Sequence, residues 1–455
     1  MLTRSYPHLR GIAVDLREGG LIITPDTPST RSVLVFGRAL WGPTHEPVAI
    51  GNQKEAEAIF GPLTDDTGEC TGTASTTTYI DNQVTLQIAE AFAGGCTDVR
   101  ATRLDIDGVK ASLSLNITTA TTLDYMTIEA AYQGYLGNFI KVATCYTGES
   151  NPSHLRIKIP TVFGGQTYIY TLSEYSTIGE LMDQVNSTLG DYVYLSLTGS
   201  TQTTMSPYYL PIIASDTSAT YSTMADAVAL GTTPTSPGTY TGVAGVNDSV
   251  PTLTQVTTAL GDPSVAPVSD ATALQNLREY EFDLIATSLC NADEITGAAD
   301  DFIQWLVDFC HLQHKNGIPT SAVVGVSKLS AFLRSDIYTR KTSLMNTSNY
   351  PAVLISDGLG TESGESDIVN GGRYLQIVAG PQCMASIRQL GFYATNAAVH
   401  VAAMRSTKPQ HKPLTYKPIP GLRSTVYKFS QQEANDLLGG VGTTGLEGGA
   451  YVVLG

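Results

Sequence analysis

The chain has 455 residues, a formal net charge of −16 at pH 7 and only 15% charged residues. At roughly 100–200 residues per domain it has room for two to four domains, with cores that need no metal or disulfide staple. The acidic balance argues against a binder of the phosphate backbone, which needs dense Lys and Arg. The low charge fits either a surface covered by copies of itself or simply Thr/Ser-rich sheets.

Residues 1–26 read as an extended arm. Pro7 and Gly11 break helix, and Gly19-Gly20 marks a turn. Ile12–Leu16 and Leu21–Ile23 are each able to pair as a strand, with Ile12, Val14 and Leu16 on one side. A terminal strand without a clear hairpin partner can join a neighbour's sheet edge, or close as a hairpin in its own domain. A proline at Val14 is expected to weaken assembly more than folding, because it deletes a ladder hydrogen bond.

Residues 33–61, VLVFGRALWGPTHEPVAIGNQKEAEAIFG, begin with a buried strand at Val33–Phe36. A loop stiffened by Pro43 follows, then a short helix ended by Gly61. Residues 62–82 read as a loop. Val84, Ile88, Ala91 and Phe92 have helical spacing, Gly94-Gly95 ends that helix, and Val99–Leu104 is a strand.

From 105 to 265 short alternating segments dominate: Ala111–Ile117, Ile140–Thr144, Leu155–Ile159, Tyr168–Leu172 and Tyr192–Leu197. Their Thr, Tyr, Val and Ile favour strands. One helix, Ile178–Leu189, fits between them, and 215–265 is expected to meander at the surface. This block reads as a β-rich domain inserted into another.

After 266 strand and helix alternate. Helices are expected at Leu274–Tyr280, Ala298–His314 and Asn396–Met404. Strands are expected at Phe282–Ala286, Ala322–Val326, Val353–Ser356 and Tyr374–Val378. The fold class is therefore α/β: a sandwich-like α/β core with a mixed sheet, built from 27–104 and 266–455, with both sheet faces covered.

Four segments carry a family resemblance. The opening stretch 33–61, the turn AAYQGYLGNFIKV at Ala130–Val142, and GFYATNAAVHVAAMRSTKPQHKPLTYKPIPGL at 391–422 occur in an order that resembles contractile tail sheath proteins of tailed phages and related contractile injection systems. Residues 282–326 resemble that family's core βαβ unit. In the second segment Gly134 and Gly137 suit a tight turn and Asn138 tolerates a left-handed conformation. In the third, small residues from Ala397 to Ala403 permit close helix packing, and Pro418, Pro420 and Gly421 stiffen the loop.

The resemblance implies a mechanical subunit that polymerises as stacked hexameric rings around an inner tail tube. The sheath would shorten by rigid-body motion and drive the tube through the host envelope. It implies a homo-oligomer that meets the tube protein, the baseplate and a tail terminator, with no cofactor and no enzymatic activity. It places the chain in the virion tail, assembled in the host cytoplasm. In the family the C-terminal region continues with more strands, helices and a linking segment, whereas this chain stops at GGAYVVLG. The expectation is that the missing part is absent here or belongs to another polypeptide.

The richest basic stretch holds Arg405, Lys408, Lys412 and Lys417, broken by Pro409 and Pro413. It suits a loop or a strip meeting an acidic patch on a neighbouring subunit, where such charges steer docking more than they hold it.

The six cysteines, Cys70, Cys96, Cys145, Cys290, Cys310 and Cys383, form no CxxC pair and are expected as free thiols of a reducing compartment. The start lacks the apolar run of a leader, and no stretch of about 20 apolar residues suggests a membrane span. No P-loop or GxGxxG after a strand is present.

Cys310, His311 and His314 are the densest set of possible metal ligands but lack a nominated third and fourth partner, so a packed thiol with surface histidines is expected. Asp65-Asp66 and the Glu362, Glu365, Asp367 group match no EF-hand spacing and read as solvated loops. Two alternatives remain in view. One is another self-assembling protein of a baseplate or surface array. The other is an α/β enzyme, which a pocket joining His311 or His400 to an acid and a nucleophile would favour.

Overall fold

The computed structural model describes residues 31–44, 46–64, 82–119, 122–145, 153–197, 204–213, 227–232, 240–248, 253–260, 282–287, 305–306, 309–310, 312–313, 317–325, 375–379, 383–387, 391–395, 397–407, 419–425 and 451–453. The chain is a mixed α/β fold with several sheets.

The first strand, β1 (Val33–Gly37), is buried along its whole length. Side chains alternate across a strand. Val33 and Val35 join one core cluster, while Leu34 and Phe36 on the other face are equally inaccessible. Both faces of the sheet are thus covered here. The short strand β2 (Val48–Ile50) follows. It was not foreseen, because three residues between Pro47 and Gly51 are too few to show a period.

Helix α1 (Gln53–Phe60) is capped by Asn52, whose side chain accepts from Glu55 N, and it ends at Gly61 as expected. Helix α2 (Gln83–Ala93) begins at Asn82. That one side chain accepts from Thr85 N and donates to the carbonyls of Phe60, Gly61 and Pro62, fastening the end of α1 to the start of α2. Strand β3 (Val99–Arg103) then runs parallel to β1.

The β-rich block contains β4 (Ser112–Thr119), β5 (Thr122–Ala130), β6 (Lys141–Cys145), β7 (His154–Lys158), β8 (Thr167–Thr171), helix α3 (Ile178–Leu189), β9 (Val193–Leu197), β10 (Val228–Ala229), β11 (Tyr240–Val243) and helix α4 (Leu253–Leu260). The predicted strands and the α3 helix are present, each within about two residues of its expected bounds. Two sheets result, with orders β10-β6-β7-β8 and β11-β4-β5-β9. Every pairing in them is antiparallel. With α3 they enclose one apolar cluster.

The expectation of a surface meander over 215–265 is corrected. β10 and β11 pair into the two sheets, and Val256 and Leu260 of α4 are fully buried. Short apolar pieces separated by Gly and Pro hide their period, and distant partners complete them.

The later part supplies β12 (Leu284–Thr287), β13 (Ser321–Gly325), β14 (Leu375–Ala379), β15 (Cys383–Ile387), β16 (Gly391–Thr395), helix α5 (Ala398–Ser406), β17 (Leu422–Thr425) and β18 (Tyr451–Val453). Helix α5 starts two residues later than predicted, because Ala397 takes a left-handed conformation, φ 64°, at its N-cap. Between β12 and β13, Trp305, Leu306, Phe309 and Cys310 are helical and buried. The Phe309 ring stacks between Phe282 and Trp305, at centroid distances of 6.2 and 5.5 Å. The predicted helix at 274–280 and strand at 353–356 lie outside the described residues.

The large sheet has the order β18-β14-β13-β12-β1-β3-β2. Its pairings are parallel apart from β2 against β3. From β1 the chain moves to one side, through β3, and later to the other, through β12 to β18. Helices α2 and α5 pack together and against the middle strands. A small antiparallel sheet, β16-β15-β17, stands beside them.

Candidate functional site

In an open α/β sheet the usual binding place is the crevice at the carboxyl ends of the strands, where strand order reverses. Here β1 lies at that reversal. Its terminal backbone groups are already used by the chain itself. Gln87 Nε2 donates to Phe36 O at 2.9 Å. Leu104 N donates to Gly37 O at 2.9 Å, and Val84 N to Arg38 O at 3.1 Å. Arg38 N donates to Gln83 Oε1 at 3.2 Å. The next residues, Leu40 and Trp41, leave the α/β core and pack into the apolar cluster of the β-rich block. Trp41 meets the Tyr132 ring edge-on at 5.4 Å. Burying such side chains contributes about 1.5–3 kcal/mol each.

The turn that receives this loop explains the Gly134 signal. Gly134 has φ 129°, and a Cβ there would stand 2.4 Å from Leu40 O. One of the sequence assignments in this turn is met, for steric reasons, and one needs correction. Gly137 has no positive φ. It is required because a Cβ would lie 2.9 Å from both Ala111 Cβ and Ala130 Cβ. Asn138 is not left-handed either. Its side chain acts as a clamp, donating to Gly245 O at 2.9 Å and accepting from Gly245 N at 2.8 Å.

A buried ionic group locks the same junction. At the end of β3, Arg103 Nε donates to Asp248 Oδ2 at 2.8 Å, and both side chains are almost wholly inaccessible. Arg103 Nη1 donates to Gln133 O at 2.8 Å. Gln133 Nε2 donates to Asp105 Oδ1 and Asp248 Oδ1, at 2.6 and 3.0 Å. Burial pushes the Asp248 carboxyl above the usual carboxylate range, against the opposing pull of Arg103. A buried pair left with one member loses heavily, since the remaining charge has no water. Sequence reasoning missed this group, whose members are distant along the chain and carry no motif.

A second polar group lies between α2, α5 and the small sheet. Tyr393 Oη donates to Glu90 Oε1 at 2.9 Å. His400 Nδ1 stands 4.0 Å from the same oxygen, and among the described residues neither ring nitrogen has a hydrogen-bond partner. Burial raises Glu90 to about 7 and lowers His400 to about 4. A histidine, an acid and a hydroxyl therefore do meet. All three side chains are buried, at 0, 2 and 4% exposure for His400, Glu90 and Tyr393.

Free sheet edges are the other feature able to do something. The outer edge of β9 is closed by a side chain. Asn186 Oδ1 accepts from Leu195 N at 2.7 Å, and its Nδ2 donates to Leu195 O at 3.0 Å, as a neighbouring strand would. No such side chain covers β8 among the described residues.

Of the residues singled out in sequence, Ile12, Val14, Leu16, Lys408, Lys412 and Lys417 lie outside the described residues, as do His311 and His314. Arg405 is half-buried near the end of α5. Its charge and that of Arg31 are close enough for Arg405 to lower the Arg31 pKa, after desolvation, while Asp283 opposes both. Arg31 N also reaches Ser406 O at 3.4 Å, so the segment leading into β1 runs past α5. Cys310 is a fully buried thiol, raised well above its ordinary pKa by desolvation. Among the described residues no group of three metal-ligating side chains occurs, and no helix is long and apolar enough to cross a membrane.

No known family model and no curated protein sequence matches the chain. Among solved structures it is similar to a sheath tail protein from Listeria innocua, at 15% identity and TM-score 0.45, over 90% of this chain and 64% of that one. It is also similar to a sheath tail protein from Desulfitobacterium hafniense, at 13% identity and TM-score 0.44, over 94% of this chain and 70% of that one. The chain thus spans somewhat less than two thirds of the first of these proteins.

Proposed function

We propose that this chain is a structural, self-assembling subunit of the contractile tail sheath type, working without catalysis or cofactor. It polymerises as stacked hexameric rings around an inner tail tube, contacts baseplate and terminator proteins, and shortens to drive the tube through a host envelope. In this reading 1–26 is a linking arm, 105–265 an inserted outer domain, and 27–104 with 266–455 the α/β core. Ile12, Val14 and Leu16 pair with a neighbour's sheet, and Arg405, Lys408, Lys412 and Lys417 meet its acidic surface. The virion tail is its place, after assembly in the host cytoplasm.

The observation that carries the reading is the filled crevice at β1. Where an α/β enzyme keeps backbone groups free for a ligand, this chain uses Phe36 O, Gly37 O, Arg38 N and Arg38 O internally. It sends Leu40 and Trp41 across to join the two cores. That arrangement suits a tile that transmits force as one body. The ordered sequence segments at 33–61, 130–142 and 391–422 support the specific sheath assignment.

Electron microscopy of the concentrated, purified chain tests it. Helical tubes with a wide lumen support the sheath reading. Flat or closed lattices turn it toward a surface-array or baseplate component, and strictly monomeric particles at high concentration overturn it.

A further inference from the structure

We propose that β8 is a self-complementary edge, through which two copies of this chain pair antiparallel about Ile169. The inference stands apart from the sheath reading, since it concerns the β-rich block and requires no ring or tube.

The ladder fixes which way the β8 backbone faces. Leu172 N donates to Ser153 O, and Ile159 N donates to Gln166 O. In an antiparallel pair the hydrogen-bonded positions alternate. With Leu155 opposite Tyr170 and Ile157 opposite Tyr168, those two tyrosines bond to β7. The N–H and C=O groups of Thr167, Ile169 and Thr171 point away from the sheet. Among the described residues nothing is bonded to them. An edge of this kind templates pairing with another strand, and proteins usually blunt it with charge, proline or a covering group. Among the described residues β8 has none of these, and its own sequence is Thr-Tyr-Ile-Tyr-Thr. The contrast with β9, closed by Asn186, lies within the same block.

The occupant follows from symmetry. TYIYT reads the same in both directions. A two-fold axis through Ile169 sets Ile169 against Ile169 and Thr167 against Thr171. The outward-facing residues of one copy thereby meet those of the other in register. Each facing pair exchanges two bonds, giving about six main-chain hydrogen bonds. Such an isologous contact closes on itself as a dimer.

Ile169, 46% exposed, is among the most exposed large apolar side chains of the described residues, and the pairing covers it. Lys158, paired with Thr167 on β7, marks one end of the edge. Exposed Glu174 lies beyond Thr171 at the other. The axis brings the Lys158 end of each copy beside the Glu174 end of its partner, so the flanking charges are opposite. Two five-residue strands cover far less than the roughly 1,200–2,000 Å² of a stable interface. The pairing is therefore weak and concentration-dependent.

Two variants of the full chain test this. Ile169→Cys, treated with a short bifunctional thiol reagent, is expected to give a covalent dimer linked 169 to 169, identified by peptide mass, above the level of the parent chain. Ile169→Pro removes an outward N–H without touching the bonds to β7. It is expected to weaken dimerisation at least about tenfold in sedimentation, with an unchanged melting temperature. No link above the parent at concentrations where the chain associates overturns the proposal. So does a link from position 169 to a different segment, such as residues 12–16, or unaltered dimerisation of a folded Ile169→Pro chain. Tubes without the 169–169 link defeat this inference alone, and the link without tubes defeats the sheath reading alone.

Discussion

Arg103 and Asp248, 145 positions apart in the chain, meet at 2.8 Å with both side chains buried. The pair ties the end of β3, where the chain leaves the α/β core, to the segment between β11 and α4. Asp248→Ala strands the guanidinium without its counter-charge and is expected to cost about 3–5 kcal/mol. Asp248→Asn retains an acceptor and is expected to cost less. Urea unfolding of both variants checks the order, and equal losses would show that the retained acceptor contributes nothing and the lost charge accounts for the whole effect.

The Glu90 and His400 group predicts a pH dependence of stability. Burial lets folded Glu90 keep its proton up to about 7, against 4.5 for a freely solvated glutamate. Its contribution is present below 4.5 and is lost as pH rises through 7. Burial keeps folded His400 neutral down to about 4, against 6.5 for a freely solvated histidine. Its contribution is present above 6.5 and is lost as pH falls toward 4. The two slopes oppose one another in the overlap, leaving the Glu90 loss exposed on the alkaline side. Glu90→Gln is therefore expected to gain stability over the parent at pH 8 relative to pH 5, by up to about 3 kcal/mol. Denaturant midpoints at the two pH values measure it, and an identical difference at both would contradict the assignment.

Helices α2 and α5 approach closely because Gly94 faces Ala403. A Cβ on Gly94 would stand 2.5 Å from Ala403 Cβ, and its φ of −74° is ordinary, so space alone requires the glycine. Gly94→Ala is expected to cost about 1–3 kcal/mol by overpacking. Adding Ala403→Gly should recover part of that loss. Thermal melts of the single and double variants decide, and a double variant worse than the sum of its parts would disprove the contact.

Asn186→Ala frees the backbone N–H and C=O of Leu195 on β9. Stability should fall by about 1–2 kcal/mol for the two lost bonds. Self-association should rise, because a second open edge is created. Light scattering against concentration, with the parent beside it, reads the effect; no rise would mean that the edge is protected by something besides Asn186.

The sequence by itself determined much of the local structure. Val33–Phe36, the capped helix ending at Gly61, the Ile178–Leu189 helix and the short alternating strands were legible because period, caps and β-branched residues act within a few positions of the chain. The value of small residues near Ala403 was legible too. The tertiary structure decided what those pieces do together. It alone paired β10 and β11 into their sheets, turned Asn138 into a clamp on Gly245, brought Arg103 to Asp248, and buried His400 beside Glu90. It also left β8 open while closing β9. Such relations join residues far apart in the chain whose types are ordinary and whose spacing carries no period. Their meaning arises only when folding removes water from around them and leaves each polar group to the partner that topology supplies.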